Sequence, residues 1–159
     1  MPYAYDPTPL IKGEIDGSLD FTTNVPFTIK SLGKDAASFL LADFKLPLFN
    51  DVLVVTQETL KTRRKDIVAF MRASRKGWDE NFKDTAAYPP KFKDTWFKGT
   101  GRSVENELYF NQAQKSLITH PKGVFAMTDE AIASCIAALN AVNVKADKSH
   151  FDTSLLKEI

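Results

Sequence analysis

The clearest pattern in the chain is a stripe of apolar and small side chains that return every three or four residues between Lys65 and Phe82. The stripe consists of Ile67, Phe70, Met71, Ser74, Trp78 and Phe82. This spacing predicts an amphipathic helix over Lys65 to Phe82, with Phe70 buried and Arg75 in solvent. On that basis Phe70→Ala should cost about 3 to 5 kcal/mol and Arg75→Ala should cost close to nothing.

Two later segments also predict helices. Ser103 is a candidate N-cap for a helix that runs to about Leu117, with Glu105 and Glu107 near its positive end. Its apolar stripe is only partial. A further helix is expected to begin after Thr128, because acidic residues follow in the first turn and aliphatic side chains then recur at helical spacing.

Three other segments predict strands. Alternating apolar positions favour a strand from Ile15 to Phe21, and short apolar runs favour buried strands at Phe39 to Ala42 and at Val52 to Val55. Short helices are expected before Gly13 and between Val25 and Gly33, since both glycines suit a helix C-terminus. Strands mixed with helices make an α/β fold the predicted class.

The corner between the first predicted strand and the helix after it holds the polar side chains Thr22, Thr23 and Asn24. Ligands bind at the carboxyl ends of strands in open α/β sheets, so these residues are candidate ligand donors. An N-cap with no further role is the alternative. Phe44, in a loop rich in aromatic and proline residues, suits the rim of a binding cleft or a loop packed on its own domain.

Composition narrows the function without naming it. The chain has 159 residues and a formal net charge of +1, from 21 basic and 20 acidic side chains. This balance gives no electrostatic reason to expect nucleic acid as a partner. The basic residues around the Lys65 helix are read as a solvated face because acidic residues lie among them. No apolar run is long enough to predict a membrane span, and no export signal is evident.

Residues for catalysis are sparse. His120 and His150 are the only histidines, and neither stands beside Cys135, the single cysteine, or has metal-site spacing. No glycine-rich phosphate loop of a common pattern is present. We therefore expect no catalytic residues, metal or cofactor.

The chain resembles the substrate-binding proteins of ABC importers, type 2 periplasmic binding proteins, and within them the NMT1/THI5-like branch. The resemblance rests on Asp6-Pro7, Pro9-Leu10-Ile11, Gly13-Glu14-Ile15-Asp16-Gly17, Thr23-Asn24-Val25-Pro26, Gly33, Leu53-Val54-Val55-Thr56, Phe70-Met71-Arg72-Ala73, Gly77-Trp78 and Asp152-Thr153-Ser154. It implies a two-lobed α/β fold that binds a small organic solute between its lobes. Residues 1–50 would then end the second lobe, and residues 51–159 would supply a hinge strand and the helical completion of the first.

The same resemblance implies an ABC permease as partner and the periplasm as location, although the chain as given would remain in the cytoplasm. An entire first half precedes this region in the family, so we expect a truncated form whose bare strand edges favour homo-oligomers. The alternative is a thiamine-pyrimidine biosynthesis enzyme of the NMT1/THI5 type, or a stand-alone domain without a transport role. That enzyme uses a cysteine-rich iron site, for which this chain has too few cysteines.

Overall fold

A computed structural model describes residues 6–159, so the first five residues of the predicted 1–50 lobe segment lie outside the described residues. The α-helices are α1 Thr8–Ile11, α2 Val25–Ser31, α3 Gln57–Thr62, α4 Arg64–Asn81, α5 Pro89–Phe92, α6 Val104–Ile118 and α7 Asp129–Ala141. Short 3₁₀ helices cover Leu41–Phe44, Lys148–His150 and Ser154–Lys157.

Local sequence explains where the longer helices begin. The hydroxyl oxygen of Ser103 accepts from the backbone N–H of Asn106 at 3.2 Å, and that of Thr128 accepts from Ala131 at 3.1 Å. Each hydroxyl thus satisfies one of the N–H groups that a helix N-terminus leaves without a partner. The predicted Ser103 N-cap and the predicted helix start at Thr128 are confirmed.

The first two helices also end as the sequence predicts. Gly13 and Gly33 follow α1 and α2 with φ of 73° and 70°, a region that residues with a Cβ seldom occupy. The N–H of Gly33 donates to the carbonyl of Lys30 at 2.9 Å and closes the last turn of α2. Glycine at these positions therefore stops each helix within a few residues.

The strand predictions are wrong for the chain that the structure describes, since residues 6–159 contain helices, turns and extended segments but no strand. Residues 15–21 form no ladder, Leu41–Phe44 is a 3₁₀ helix, and residues 52–55 are irregular. The physical reason is that a strand exists only with a neighbour, because its backbone groups bond between segments. An apolar β-branched run predicts the propensity and leaves the neighbour unspecified.

The chain divides into two compact units. Unit 1 comprises residues 6–38 and 80–119 of the described chain, and unit 2 comprises residues 39–79 and 120–159. Unit 1 is built on α6, which packs against α2 and α5. The predicted division at residue 50 is a different kind of boundary and stays a prediction.

Unit 2 contains an apolar core on α4. Ile67, Val68, Met71 and Leu155 are buried together, and half-buried side chains such as Phe125 pack around them. α7 adds Ile132, Cys135 and Ala138, which are also buried. Burial of apolar surface is the main stabilising contribution to be expected here.

The buried face of α4 includes Ile67 and Met71 of the predicted stripe but not Phe70. Phe70 is 57% exposed, whereas Val68 is 5% exposed. The guanidinium of Arg75 instead donates from Nε and Nη2 to the carbonyl of Val124, at 3.2 and 2.8 Å. The predicted roles of Phe70 and Arg75 are therefore wrong. The contact face keeps Ile67 and Met71 of the predicted stripe and extends toward Val68 and Arg75 instead of Phe70, a rotation well below the roughly 100° between adjacent helix positions.

No helix within residues 6–159 has both the length and the apolar character needed to cross a membrane.

Candidate functional site

Thr22, Thr23 and Asn24 form a turn that leads directly into α2. The carbonyl of Phe21 accepts from the N–H groups of Asn24 and Val25, at 3.1 and 3.3 Å, which closes the turn. Pro26 then stands in the first helical turn, where its missing N–H costs nothing. Sequence reasoning therefore placed this corner correctly at the start of a helix, although no strand precedes it.

Asn24 is the N-cap residue of α2, yet its side chain makes no capping bond. Its Oδ1 instead accepts from Nδ2 of Asn106, on α6, at 3.0 Å. The alternative reading of Asn24 as a simple N-cap is thus not supported by its side-chain bonding. The side chain joins the corner to α6.

A second contact between the corner and α6 runs through Tyr109. Its hydroxyl donates to the carbonyl of Thr22 at 3.2 Å, and its ring lies 5.4 Å, centre to centre, from that of Phe27 in α2. Thr23, which lies between Thr22 and Asn24 in the chain, is buried, with 9% of its surface exposed. The side chain of Tyr109 thereby fixes the corner from one side while its other surface remains available.

That other surface of Tyr109 lines an open groove in unit 1 with a volume of about 350 Å³. The remaining lining residues are Thr85, Ala86, Leu108 and Gln112. Ala86 and Leu108 provide apolar surface, while Thr85, Gln112 and Tyr109 carry hydrogen-bonding groups. The volume lies at the small end of the range found for ligand pockets.

Beside the groove, a network of amides holds Thr85 in place. Asn81 and Asn111 exchange two side-chain hydrogen bonds, at 2.8 and 2.9 Å. Nδ2 of Asn111 also donates to the carbonyl of Thr85 at 2.7 Å. Since Asn111 is buried, these bonds replace the water that its amide would otherwise require.

The first turn of α6 carries a buried carboxylate, Glu107, whose side chain is 5% exposed. Nε of Arg102 lies 2.7 Å from its Oε1, yet that oxygen has no properly aligned hydrogen bond. The opposite charges of Arg102 and Glu107 attract at this distance, although the N–H of Arg102 does not point at the oxygen. The guanidinium also lies 5.0 Å above the ring of Phe110, and the positive end of α6 adds favourable charge.

The fourth predicted site residue, Phe44, ends the 3₁₀ helix Leu41–Phe44 in unit 2. Its side chain is largely in solvent, and its ring packs edge-on against Phe39 with centres 5.2 Å apart. The structure thus gathers Thr22, Thr23 and Asn24 beside α6, and it shows Phe44 within a separate unit.

Both histidines take part in local turns. Nδ1 of His120 accepts from the N–H of Lys122 at 3.1 Å, and His150 pairs with Asp147 in a capping box. Residues 6–159 contain no group of three His, Cys, Asp or Glu side chains placed to hold a metal ion.

Sequence reasoning missed the polar residues of α6 that organise the site, Asn106, Tyr109 and Asn111. For Asn111, a signal exists in the spacing. Glu107 and Asn111 lie three and seven residues after Val104, on the face where an apolar stripe would continue. The partial stripe of this helix is completed by polar side chains, which a search for apolar periodicity cannot register.

Comparison with known families gives a match to the model described as NMT1/THI5 like over residues 2–87. The match covers more than half of the chain, so the chain belongs to the NMT1/THI5-like family. This family contains both solute-binding proteins of ABC importers and proteins of thiamine biosynthesis. No curated protein and no solved structure matches the chain.

Proposed function

We propose that this chain is the solute-binding component of an ABC-type importer and binds a small organic molecule. The single observation that carries the proposal is the shared position of Tyr109. Its hydroxyl anchors the Thr22 carbonyl, and its side chain also lines the groove with Gln112. The corner predicted as a ligand site and the groove are therefore held by the same residue.

The lining of the groove indicates the kind of solute. Leu108 and Ala86 suit an apolar or aromatic body, and the side chains of Thr85 and Gln112 can bond to one or two polar groups. Neither Lys nor Arg lines the groove, which favours a solute without a strong negative charge.

The hydroxyls of Thr22 and Thr23 and the amide nitrogen of Asn24 make no hydrogen bond to another described residue. They therefore remain free to act as donors toward a polar end of the solute. In this proposal the solute lies between two lobes, as in the α/β periplasmic binding proteins, and Phe44 borders the cleft. Closure around the solute would present a surface to the permease in the periplasm.

Binding without catalysis is favoured because both histidines take part in local turns and the one cysteine is buried. His150 serves the capping box with Asp147, His120 closes its own turn, and Cys135 is buried in α7. The thiamine-pyrimidine enzyme, or a domain without a transport role, is the competing assignment within the same family.

Thermal-shift screening of the chain against small nitrogenous, aromatic and sulfonate solutes, followed by calorimetric titration of the hits, tests the proposal. Gln112→Ala should weaken binding of a hit by about tenfold, the loss expected for one useful hydrogen bond in a desolvated groove. Gln57→Ala is the matched control, since Gln57 is an exposed residue of α3 in unit 2.

Equal affinity of the Gln112→Ala variant and the unaltered chain would contradict the groove as the binding site. Incubation of a hit with the protein, monitored by NMR, distinguishes binding from catalysis. The solute should stay chemically unchanged, and its conversion to a product would favour the biosynthetic assignment.

A further inference from the structure

Unit 2 exposes an unusually apolar loop, residues 39–55. Among residues 6–159, nine of the seventeen exposed large hydrophobic side chains lie in this loop. Phe39 and Phe44 are each 68% exposed, and Val54 is 80% exposed. Monomeric soluble proteins seldom leave apolar side chains in such a contiguous group, and a group of this kind marks an interaction surface.

The backbone of the loop is also without partners in its last part. Residues 50–55 neither donate nor accept a backbone hydrogen bond with another described residue. Val52–Val55 consists of three valines and a leucine, and this composition gives the segment a high propensity to join a sheet. A row of free N–H and C=O groups on an apolar segment is satisfied most directly by another extended segment.

The chain as a whole exposes more surface than compact proteins of its mass do. The chain exposes 11873 Å². The scaling law for folded monomers gives about 8,000 Å² for a mass of 17.8 kDa, and about 9,600 Å² for two separate units of half that mass. Summed over the whole chain, the excess over the larger figure is about 2,300 Å², and a stable interface needs about 800 Å² from each partner.

We propose that a second copy of this chain covers the apolar loop, and that residues 52–56 of the two copies pair as antiparallel strands about a two-fold axis at Val54. Around such an axis Val54 faces Val54 of the other copy, Leu53 faces Val55, and Val52 faces Thr56. None of the opposed pairs in this register contains a charged side chain.

The charges of the loop select the antiparallel arrangement. In a parallel, in-register pair Asp51 would lie directly opposite Asp51 of the other copy, which is unfavourable. The antiparallel register places Asp51 beyond the paired residues, opposite the start of α3. The formal net charge of +1 leaves little overall repulsion between two copies.

Sedimentation equilibrium of the chain over roughly a hundredfold range of concentration tests the association. The expected result is a concentration-dependent mixture of monomer and dimer, and a single monomer mass throughout would overturn the proposal. Val54→Lys should raise the dissociation constant of the dimer by about tenfold or more, because it removes two apolar contacts and opposes two like charges.

Val142→Lys is the control, since Val142 is a 56% exposed valine of the same unit outside the loop. It should leave the dissociation constant unchanged, and an equal loss in both variants would overturn the assignment to the loop. Val54 makes few contacts in the isolated chain, so the thermal midpoint of Val54→Lys at low concentration should match that of the unaltered chain.

The position of the axis has its own test. The Val54→Lys variant and the Val54→Glu variant should each be monomeric when measured separately. An equimolar mixture should form dimers, because a lysine of one copy then faces a glutamate of the other across the axis. A mixture that stays monomeric would overturn the register at Val54.

Discussion

The two units bury different kinds of side chain. In unit 2 the buried residues are apolar, with Ile67, Met71 and Ile132 among them, while all four buried polar or charged residues of the described chain belong to unit 1. Those four are Thr23, Asn106, Glu107 and Asn111. Packing and dispersion therefore hold unit 2, and directional bonds hold much of unit 1.

Because of this difference, substitutions should affect the stability of the two units in different ways. An apolar core loses stability in proportion to the volume removed, and a change of shape is partly absorbed by neighbouring side chains. A buried polar network fails when one member is removed, because its partners are left without bonds and without water. The variants that follow test this contrast.

The largest effect is expected for Met71→Ala, which opens a cavity beside Ile67 and Leu155 in unit 2. The free energy of unfolding should fall by about 2 to 4 kcal/mol in urea denaturation. Phe70→Ala, on the exposed side of the same helix, should change it by less than about 1 kcal/mol. The opposite ordering would show that α4 buries its other face.

Unit 1 should show strong coupling between Asn81 and Asn111. Asn111→Ala removes the paired bonds and the donor to Thr85, so we expect a loss of about 1 to 3 kcal/mol. In the Asn111→Ala background, Asn81→Ala should lower the free energy of unfolding much less than it does in the unaltered chain. The double-mutant cycle should give a coupling energy of at least about 0.5 kcal/mol. Simple additivity would refute the polar network.

Arg102→Ala should destabilise unit 1 through the charge that it leaves behind on Glu107. Because the Arg102 side chain is one-third exposed, we expect about 1 to 2 kcal/mol, below the cost of breaking a fully buried pair. Glu107→Gln in the same chain should restore part of the loss, since it removes the unpaired charge. If the double variant is no more stable than Arg102→Ala, burial of that charge is not the cause.

The smallest effect concerns acid. The side chain and the backbone N–H of Ser149 donate to Asp147, and these bonds lower the pKa of Asp147 below its ordinary value of 3.8. A carboxyl group with a lowered folded-state pKa stabilises the protein above its unfolded pKa, and this contribution is lost as pH falls through the folded value. Stability of unit 2 should therefore decline below about pH 4.

Asp147→Asn keeps an oxygen for the cap and removes the titration. Its urea midpoint should change less between about pH 5 and pH 3 than that of the unaltered chain. Asp35→Asn, at an exposed aspartate in unit 1, serves as the control. Equal acid sensitivity of the Asp147→Asn variant and the unaltered chain would exclude Asp147 as a contributor.

The contrast between units also explains what could be predicted from sequence. Helices with local start and stop signals were found closely: α4 runs from Arg64 to Asn81 where Lys65 to Phe82 was predicted, and the Ser103 cap was identified outright. Caps involve residues three apart, so their cause lies within the segment. Strands require a distant partner, and the segment Val52–Val55 has none in the described chain.

For the site, the sequence located the Thr22–Asn24 corner because its polar residues are adjacent in the chain. It could not locate Asn106 and Tyr109, which reach the corner only through the packing of α6 on α2. Their partners lie more than eighty residues away. Such contacts depend on tertiary packing and leave no local pattern.

The buried position of Cys135 allows the opening of unit 2 to be measured by thiol labelling. The thiol is 4% exposed on α7, and no other cysteine exists in the chain to confuse a signal. A thiol reagent can reach it only when the surrounding helices separate, so the rate of labelling measures how often unit 2 opens. The interior of this unit can thus be timed in the native protein without introducing any probe.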